Sequence, residues 1–253
     1  MKTIAFHLQK GGVGKTTLSV SIAWEIAQKL ERKVCLIDCD PQGNASSWLL
    51  EGVVDPDYEL GDVLTGKCPY TDAMVSLNQF LTCIPTFGLT STLADYGKTG
   101  LAAEPFVIAD LIQELPVDYC ILDLGPGLGN VETAALIATN EVVLTMQPEY
   151  FSLDGLATWA ERVKKIEKGL RVRIHYDKLV INGLNRTIGQ MKEVTEQAQK
   201  HASHVYLFST EPAFRKAQAM HIPAQLVPKP EDLKEENVRE LNRLAKDLVN
   251  GVR

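Results

Sequence analysis

Apolar residues, many of them Val and Ile, recur along the chain in short and nearly continuous runs of four to six residues. Runs of this length predict strands that are buried on both faces, as the strands of a parallel sheet are. The predicted strands cover residues 3–8, 33–37, 80–84, 119–122, 141–146, 178–181 and 205–208.

Longer segments between these runs repeat their apolar residues with the spacing of an amphipathic helix. The clearest of them cover residues 16–30, 105–115, 155–168, 188–201 and 235–249. Strands that alternate with helices favour an α/β fold. We therefore expect residues 1–253 to form a single doubly wound domain, with a mainly parallel sheet and helices on both faces.

Composition narrows the class of protein. Apolar residues make up 45% and charged residues 23% of the 253 positions, as in ordinary globular proteins. No apolar run approaches the roughly 20 residues of a membrane helix. The five cysteines are odd in number and form no CxxC pair, which favours a reduced, cytoplasmic protein without disulfides or a zinc site.

Charge is unevenly distributed although the net charge is only -6. Residues 36–150 carry two Lys or Arg and seventeen Asp or Glu, whereas residues 151–230 carry thirteen and seven. The basic segment fits either an unevenly charged, solvated surface or a face that binds a polyanion, and the sequence alone does not decide between them.

A glycine-rich loop follows the first predicted strand and leads into the first predicted helix. Strand, loop and helix in this order form the phosphate-binding loop of nucleotide hydrolases, where backbone amides and the helix N-terminus face the phosphates. We predict that Lys15 contacts the β- and γ-phosphates of ATP and that Thr16 binds Mg²⁺. The predicted nucleotide-binding residues of this loop are Lys10, Gly11, Gly12, Val13, Gly14, Lys15, Thr16 and Thr17.

Carboxylates follow two further predicted strands. Asp38 and Asp40 come at the end of the second strand, and Asp123 ends the fourth. In a parallel sheet the carboxyl ends of the strands line the ligand crevice. Carboxylates at this edge can order an attacking water or hold Mg²⁺, and four largely apolar residues before Asp123 form a Walker B arrangement.

The loop resembles the deviant KGGxGKT loop of the ParA/MinD superfamily, because Gln9 replaces the usual first glycine and a second lysine follows at position 10. The resemblance implies that Lys10 reaches the nucleotide of a partner subunit. Residues 38–45 resemble the D-x-D-P-Q-G-N-A motif of ParA-type ATPases, which implies that hydrolysis depends on Asp40 and that Asp38 lies near the metal. The predicted catalytic residues are Lys10, Lys15 and Asp40, and the predicted metal ligands are Thr16, Asp38 and Asp123.

The resemblance covers nearly the whole chain. Residues 147–156 look like the family's Q-P-E-Y-F-S-L-E-G-L stretch, and the region 178–186 looks like its later strand, where Asn182 is the candidate adenine contact. Residues 209–223 match poorly. The family usually continues Asp-Thr-Pro-Pro, whereas Asp123 is followed by Leu124, Gly125 and Pro126. The chain starts on the first strand, as the small, non-repressor ParA type does.

This family implies a function in plasmid or chromosome partition. A ParA-type ATPase would dimerise with ATP, bind duplex DNA nonspecifically and release it after hydrolysis stimulated by a ParB-like centromere-binding protein. We expect such a protein in the cytoplasm, associated with the nucleoid and not with a membrane. The candidate DNA contacts are Arg186, Lys192, Lys200, Arg215 and Lys216, which are basic residues that follow the sixth predicted strand.

Three alternatives remain open. A MinD-like ATPase would need a basic and bulky apolar terminal helix for membrane attachment, whereas the apolar stripe of residues 238–249 is more typical of core packing. A metallocluster reductase like the nitrogenase iron protein would need cysteines on glycine-flanked loops, whereas Cys83 and Cys120 lie in predicted strands. A positioning ATPase with a protein cargo would share every motif described above.

Overall fold

The computed structural model describes residues 1–50, 54–88, 91–184, 189–209 and 235–251. Its centre is a sheet of eight strands in the order β3-β4-β2-β5-β1-β6-β7-β8. Neighbouring strands are parallel except for β3 and β4, which are antiparallel at one edge. The strands are β1 (Lys2–His7), β2 (Val34–Asp38), β3 (Val75–Ser76), β4 (Leu81–Ile84), β5 (Tyr119–Asp123), β6 (Glu141–Met146), β7 (Lys178–Leu184) and β8 (His204–Ser209).

Helices cover both faces of the sheet. In chain order they are α1 (Lys15–Lys29), α2 (Asn44–Leu50), α3 (Leu60–Leu64), α4 (Tyr70–Ala73), α5 (Thr92–Ala103), α6 (Val107–Glu114), α7 (Asn130–Ile137), α8 (Tyr150–Leu170), α9 (Gly189–Ala198) and α10 (Glu235–Asn250). A 3-10 turn (Gln199–His201) follows α9.

Each face of the sheet has its own hydrophobic core. One core joins α1, α2 and α10 to side chains such as Phe6 and Ile121, and the other joins α3 to α9 to side chains such as Ala5 and Leu122. Because side chains alternate along a strand, neighbouring residues of β1 and β5 enter opposite cores. This arrangement is the predicted doubly wound fold.

The apolar stripe of α10 packs into the protein. Leu241, Leu244 and Leu248 are buried against α1 and β8, while Arg239, Arg243 and Lys246 of the same helix are exposed. This contact confirms the prediction that the terminal stripe serves core packing. In the part of the chain that the structure describes, no helix is both long and apolar enough to cross a membrane.

The predicted strands are all present, and their ends differ from the predicted ones by at most three residues. The sequence patterns missed β3 and the short helices α2, α3 and α4, which are too brief to show a period. They also missed α5 and α7. Helix α7 (NVETAALI) is apolar around much of its circumference, so its sequence lacks the stripe by which an amphipathic helix is recognised.

Candidate functional site

The predicted site residues meet at the carboxyl edge of three adjacent strands, β2, β5 and β1. In the register of the sheet, Asp38 pairs with Asp123, and Asp123 pairs with Phe6 one residue before the end of β1. Strand order therefore brings the loops that follow these strands together. The site lies at the crevice where open α/β sheets bind their ligands.

The glycine-rich loop adopts a backbone that most residue types avoid. Gly12 and Gly14 have φ values of 72° and 98°, in the region that glycine enters without steric cost. Gly14 is also the N-cap of α1. Two side chains from the neighbouring strands brace the loop, because Gln147 Nε2 donates to Gly12 O at 3.3 Å and Asn182 Nδ2 donates to Val13 O at 2.9 Å.

Lys15 lies inside this loop with only 7% of its surface exposed. Its Nζ donates to the carbonyl oxygen of Lys10 at 2.9 Å. Burial lowers the pKa of Lys15, and the charges of Asp123, Asp40 and Glu132 oppose that shift. An ammonium group that is desolvated in this way interacts strongly with any anion that enters the loop.

The side chain of Lys10 reaches the start of α8. Its Nζ forms an ion pair with Glu149, the N-cap of α8, and lies 3.4 Å from Ser152 Oγ. Both side chains of the ion pair are partly exposed, so the pair is weak and can exchange partners. The lysine predicted to act across a dimer is therefore held at the surface by the first turn of α8.

Asp38 is buried and organises the loop that follows it. One carboxylate oxygen accepts from Ser46 N at 2.8 Å and Ser46 Oγ at 2.7 Å, and the other accepts from Asp40 N at 3.1 Å. Burial and the neighbouring Asp123 raise its pKa well above the ordinary value. Both oxygens are engaged by the protein, so metal binding by Asp38 stays a prediction.

Asp40 lies beyond the end of β2 and faces the loop after Asp123. Its Oδ1 accepts from Gln42 N at 3.0 Å. A methyl group at Gly125 would lie 3.3 Å from Asp40 Oδ1 and 3.0 Å from Glu132 Oε1. The two carboxylates therefore flank Gly125, and this close approach gives a physical reason for glycine where the family usually has proline.

Glu132 is a site residue that the sequence patterns did not identify. It lies in the first turn of α7, where its Oε2 accepts from the backbone N–H of the N-cap residue Gly129 at 2.8 Å. Its sequence signal is incomplete, because a glutamate stands three residues after the N-cap but Gly129 lacks the side-chain acceptor of a capping box. Because its other oxygen approaches Gly125 and Gly127, Glu132 holds the loop 124–129 from inside.

Asp123 is fully buried at the end of β5. Its Oδ1 accepts from Ser19 Oγ at 2.8 Å, whereas Oδ2 has no hydrogen-bond partner among the described residues. Burial raises its pKa to about 6, although the nearby Thr16 and Ser19 hydroxyls act in the other direction. An unpaired carboxylate oxygen near a threonine hydroxyl fits a hard cation such as Mg²⁺.

Among the described residues, no group of three or more His, Cys, Asp or Glu side chains could hold a metal ion without other ligands. A cation at Asp123 would therefore share its ligands with the phosphates, as Mg²⁺ commonly does. The five cysteines are buried and free, and burial raises the pKa of the Cys35 thiol to about 12. Buried, protonated thiols do not suit the metallocluster alternative.

The structure says less about the predicted contacts to the adenine base and to DNA. The Nδ2 of Asn182 donates to the phosphate loop, and an adenine contact by this residue stays a prediction. Lys192 on α9 and Lys200 in the turn after it are exposed, with Lys192 4.0 Å from Glu196. Arg186, Arg215 and Lys216 lie outside the described residues.

Comparison with known proteins shows which family the chain belongs to. A profile of the AAA domain family matches residues 1–176. The chromosome partitioning protein ParA of Caulobacter vibrioides is 30% identical over 207 residues, which cover 79% of this chain and 76% of that protein.

Two solved structures share the fold. The Cyanothece McdA–ATP complex has a TM-score of 0.82 at 20% identity and covers 100% of this chain and 98% of that one. A candidate plasmid partition protein from Borrelia burgdorferi, bound to AMPPNP, has a TM-score of 0.82 at 19% identity and covers 99% of both chains.

Fold and site together define a P-loop ATPase with a deviant phosphate loop. The chain belongs to the AAA domain family and, within it, to the ParA-type partition ATPases of the ParA/MinD superfamily.

Proposed function

We propose that this protein is an ATP-dependent dimerising ATPase for plasmid or chromosome partition, which binds DNA nonspecifically with ATP and releases it after slow, partner-stimulated hydrolysis. The observation that carries the proposal is the placement of two lysines on one loop. Lys15 is buried among the carboxylates that would serve hydrolysis, whereas Lys10 is held at the surface by Glu149 and Ser152.

The residues of the site divide the chemistry among them. The amides of the loop and Lys15 would hold the phosphates, and Thr16 with the unpaired Oδ2 of Asp123 would hold Mg²⁺. When bound, Mg²⁺ would neutralise charge on the phosphate oxygens. Asp40 would orient the attacking water, and Asp38 would keep Asp40 in place by accepting its backbone N–H.

A hydrophobic surface beside Lys10 supports dimerisation. Phe151 is 83% exposed and Tyr150 is 42% exposed, and both follow Glu149 directly. An aromatic side chain at this level of exposure is unusual for a free surface and common in interfaces. A second copy of the chain that covers Phe151 would also bring its own Lys10 to this phosphate loop, with two-fold symmetry.

Exposed basic residues on two adjacent helices support binding to DNA. Helices α8 and α9 contact each other, and the exposed face of α8 carries Lys164, Lys165 and Lys168. Lys192 on α9 and Lys200 in the turn after it are also exposed. Lys178 does not contribute, because it is buried in ion pairs. In a dimer the surface would be doubled, which multiplies weak phosphate contacts without base readout.

Dimerisation can be tested on the Asp40→Ala protein, in which we expect hydrolysis to fall at least about a hundredfold while ATP binding persists. Sedimentation with ATP should show a dimer that ADP does not support. Lys10→Ala and Phe151→Ser should each weaken this dimer. Phe106→Ser, which changes an aromatic residue that is 44% exposed elsewhere, is the control and should not. A Lys10→Ala protein that dimerises like its parent would contradict the role of Lys10.

DNA binding can be tested with the same trapped protein and a duplex of arbitrary sequence. Lys192→Ala combined with Lys200→Ala, and separately Arg215→Ala combined with Lys216→Ala, should weaken binding and flatten its salt dependence by about one unit of log–log slope per lost phosphate contact. The matched control is Lys29→Ala with Lys33→Ala, an equal loss of exposed charge near α1. If the ATP-bound Asp40→Ala dimer does not bind DNA even at low salt, a protein cargo is favoured instead.

A further inference from the structure

A buried histidine connects the phosphate site to α8. His7 is the last residue of β1 and has no exposed surface. Its Nε2 lies 2.8 Å from the carbonyl oxygen of Gly127, and its Nδ1 accepts a hydrogen bond of 2.7 Å from Trp159 Nε1. The imidazole therefore joins residues that lie 120 and 152 positions away along the chain.

The partners determine where the proton of the imidazole lies. An indole nitrogen can only donate, so Nδ1 of His7 must carry a lone pair. Nε2 then bears the hydrogen and donates to Gly127 O. Burial supports the same neutral form, because it lowers the pKa of His7 to about 4. Both nitrogens of a neutral ring are thus satisfied, and the two bonds have fixed directions.

Each end of this connection lies at a part of the proposed ATPase. Gly127 is in the loop 124–129, which follows Asp123 and approaches the Glu132 carboxylate. Trp159 is on α8, about two turns beyond Ser152, which lies next to Lys10. The Trp159 indole is also held edge-on against Tyr176, with ring centres 4.9 Å apart. A change in the loop can therefore reach the helix that holds Lys10.

We propose that His7 is a positioning residue of this ATPase, which fixes the loop after Asp123 through Gly127 and transmits the state of that loop through Trp159 to the helix that holds Lys10. The inference rests on the proposed function, since it concerns hydrolysis and the release of Lys10. It assigns His7 a role beyond packing, because both ring nitrogens make directed hydrogen bonds to the two elements that the proposal connects.

Two substitutions separate the bonds. His7→Gln places an amide where Nε2 lies and can still donate to Gly127. His7→Asn places an amide where Nδ1 lies, so it can accept from Trp159 but cannot reach Gly127. With Trp24→Phe and Trp48→Phe in the background, Trp159 is the sole tryptophan, and its emission reports on α8.

We expect His7→Asn to lower kcat about tenfold or more while the affinity for a fluorescent ATP analogue stays within about twofold, because the loop is misplaced and the phosphate cradle is intact. His7→Gln should restore most of kcat. In the parent background Mg-ATP should change the Trp159 emission, and both substitutions should reduce that change because each breaks the path at one end.

The proposal is overturned if His7→Asn and His7→Gln match the parent in kcat and in the emission change. Loss of kcat and of nucleotide affinity together, without rescue by His7→Gln, would assign His7 to packing alone and would also overturn it. A parent protein that binds ATP without hydrolysing it would contradict the proposed function. In that case the emission change still decides, because an unaltered response in His7→Asn would reject the connection.

Discussion

Buried charges gather at both ends of the central sheet, and the two groups are paired differently. At the amino end, Lys178 at the start of β7 forms ion pairs with Glu141 and, at 3.1 Å, with Asp177. Lys2 at the start of β1 adds a second pair to Glu141 at 2.9 Å. Opposite charges at this end satisfy one another within the protein.

At the carboxyl end the charges do not balance. Asp40, Asp123 and Glu132 are buried around one buried lysine, Lys15, whose described bond is to a carbonyl oxygen. Asp123 also keeps an oxygen without a partner among the described residues. Buried charge without a partner destabilises a protein unless a bound ligand supplies the partner. The unbalanced charges therefore indicate a binding site at the carboxyl end, whereas the balanced charges at the amino end form a structural ion cluster.

The largest effect should come from Lys15→Ala, which tests the unpaired end. We expect it to abolish ATP binding, because the phosphates lose their only ammonium partner on the loop within the subunit. Stability without nucleotide should change little or increase, since a desolvated cation is removed. Titration with a fluorescent ATP analogue measures the affinity. Undiminished binding would show that Lys15 does not hold the phosphates.

Lys178→Met tests the ion pairs at the amino end of the sheet. In contrast to Lys15→Ala, it should change stability and not ATP binding. Among the described residues, removal of Lys178 leaves Glu141 paired only with Lys2 and leaves the half-exposed Asp177 without a lysine, which should lower the free energy of unfolding by about 1 to 3 kcal/mol. ATP affinity should be unchanged in the folded protein, because the substitution lies at the other end of the strands. Urea denaturation and the same ATP titration together separate the two outcomes.

The pH dependence of stability should reveal the neutral His7, which lies at the carboxyl end of β1. Its pKa is about 4 when folded and 6.5 when unfolded, so the unfolded chain binds the extra proton between these values. This contribution is complete above pH 6.5 and is lost as the pH falls towards 4, by about 3 kcal/mol. Unfolding of wild type and His7→Gln measured from pH 7 to 4.5 should converge as the pH falls. Parallel curves would contradict a neutral buried imidazole.

The smallest effect concerns Glu132, a carboxylate at the carboxyl end of the sheet that accepts a hydrogen bond at the start of α7. Glu132→Ala should destabilise the protein by about 1 kcal/mol, because the Gly129 N–H loses the carboxylate that accepts its hydrogen bond. Glu132→Gln keeps an acceptor and should be nearly as stable as wild type. Equal losses in both variants would mean that the charge, and not the cap, is what stabilises α7.

Much of the fold and part of the site were predictable from the sequence. Buried parallel strands are continuous apolar runs, so the strands that form the site were found with small errors at their ends. The phosphate loop was predicted as a unit, because its glycines, Lys15 and Thr16 are adjacent in the chain. Asp123 was predicted because it ends a strand. Short helices and the nearly uniform α7 left no periodic pattern, and Glu132 was missed with α7.

The sequence by itself determined the local chemistry: which backbone can wrap a phosphate, which strands are buried, and which carboxylates end them. Only the tertiary structure decided that Glu149 holds Lys10, that Asn182 braces the loop at Val13 and that His7 joins Gly127 to Trp159. The physical reason is range. Glycine conformations and apolar runs act between neighbours in the chain, whereas these partners are more than a hundred residues apart and meet only because the strand order of the sheet brings them together.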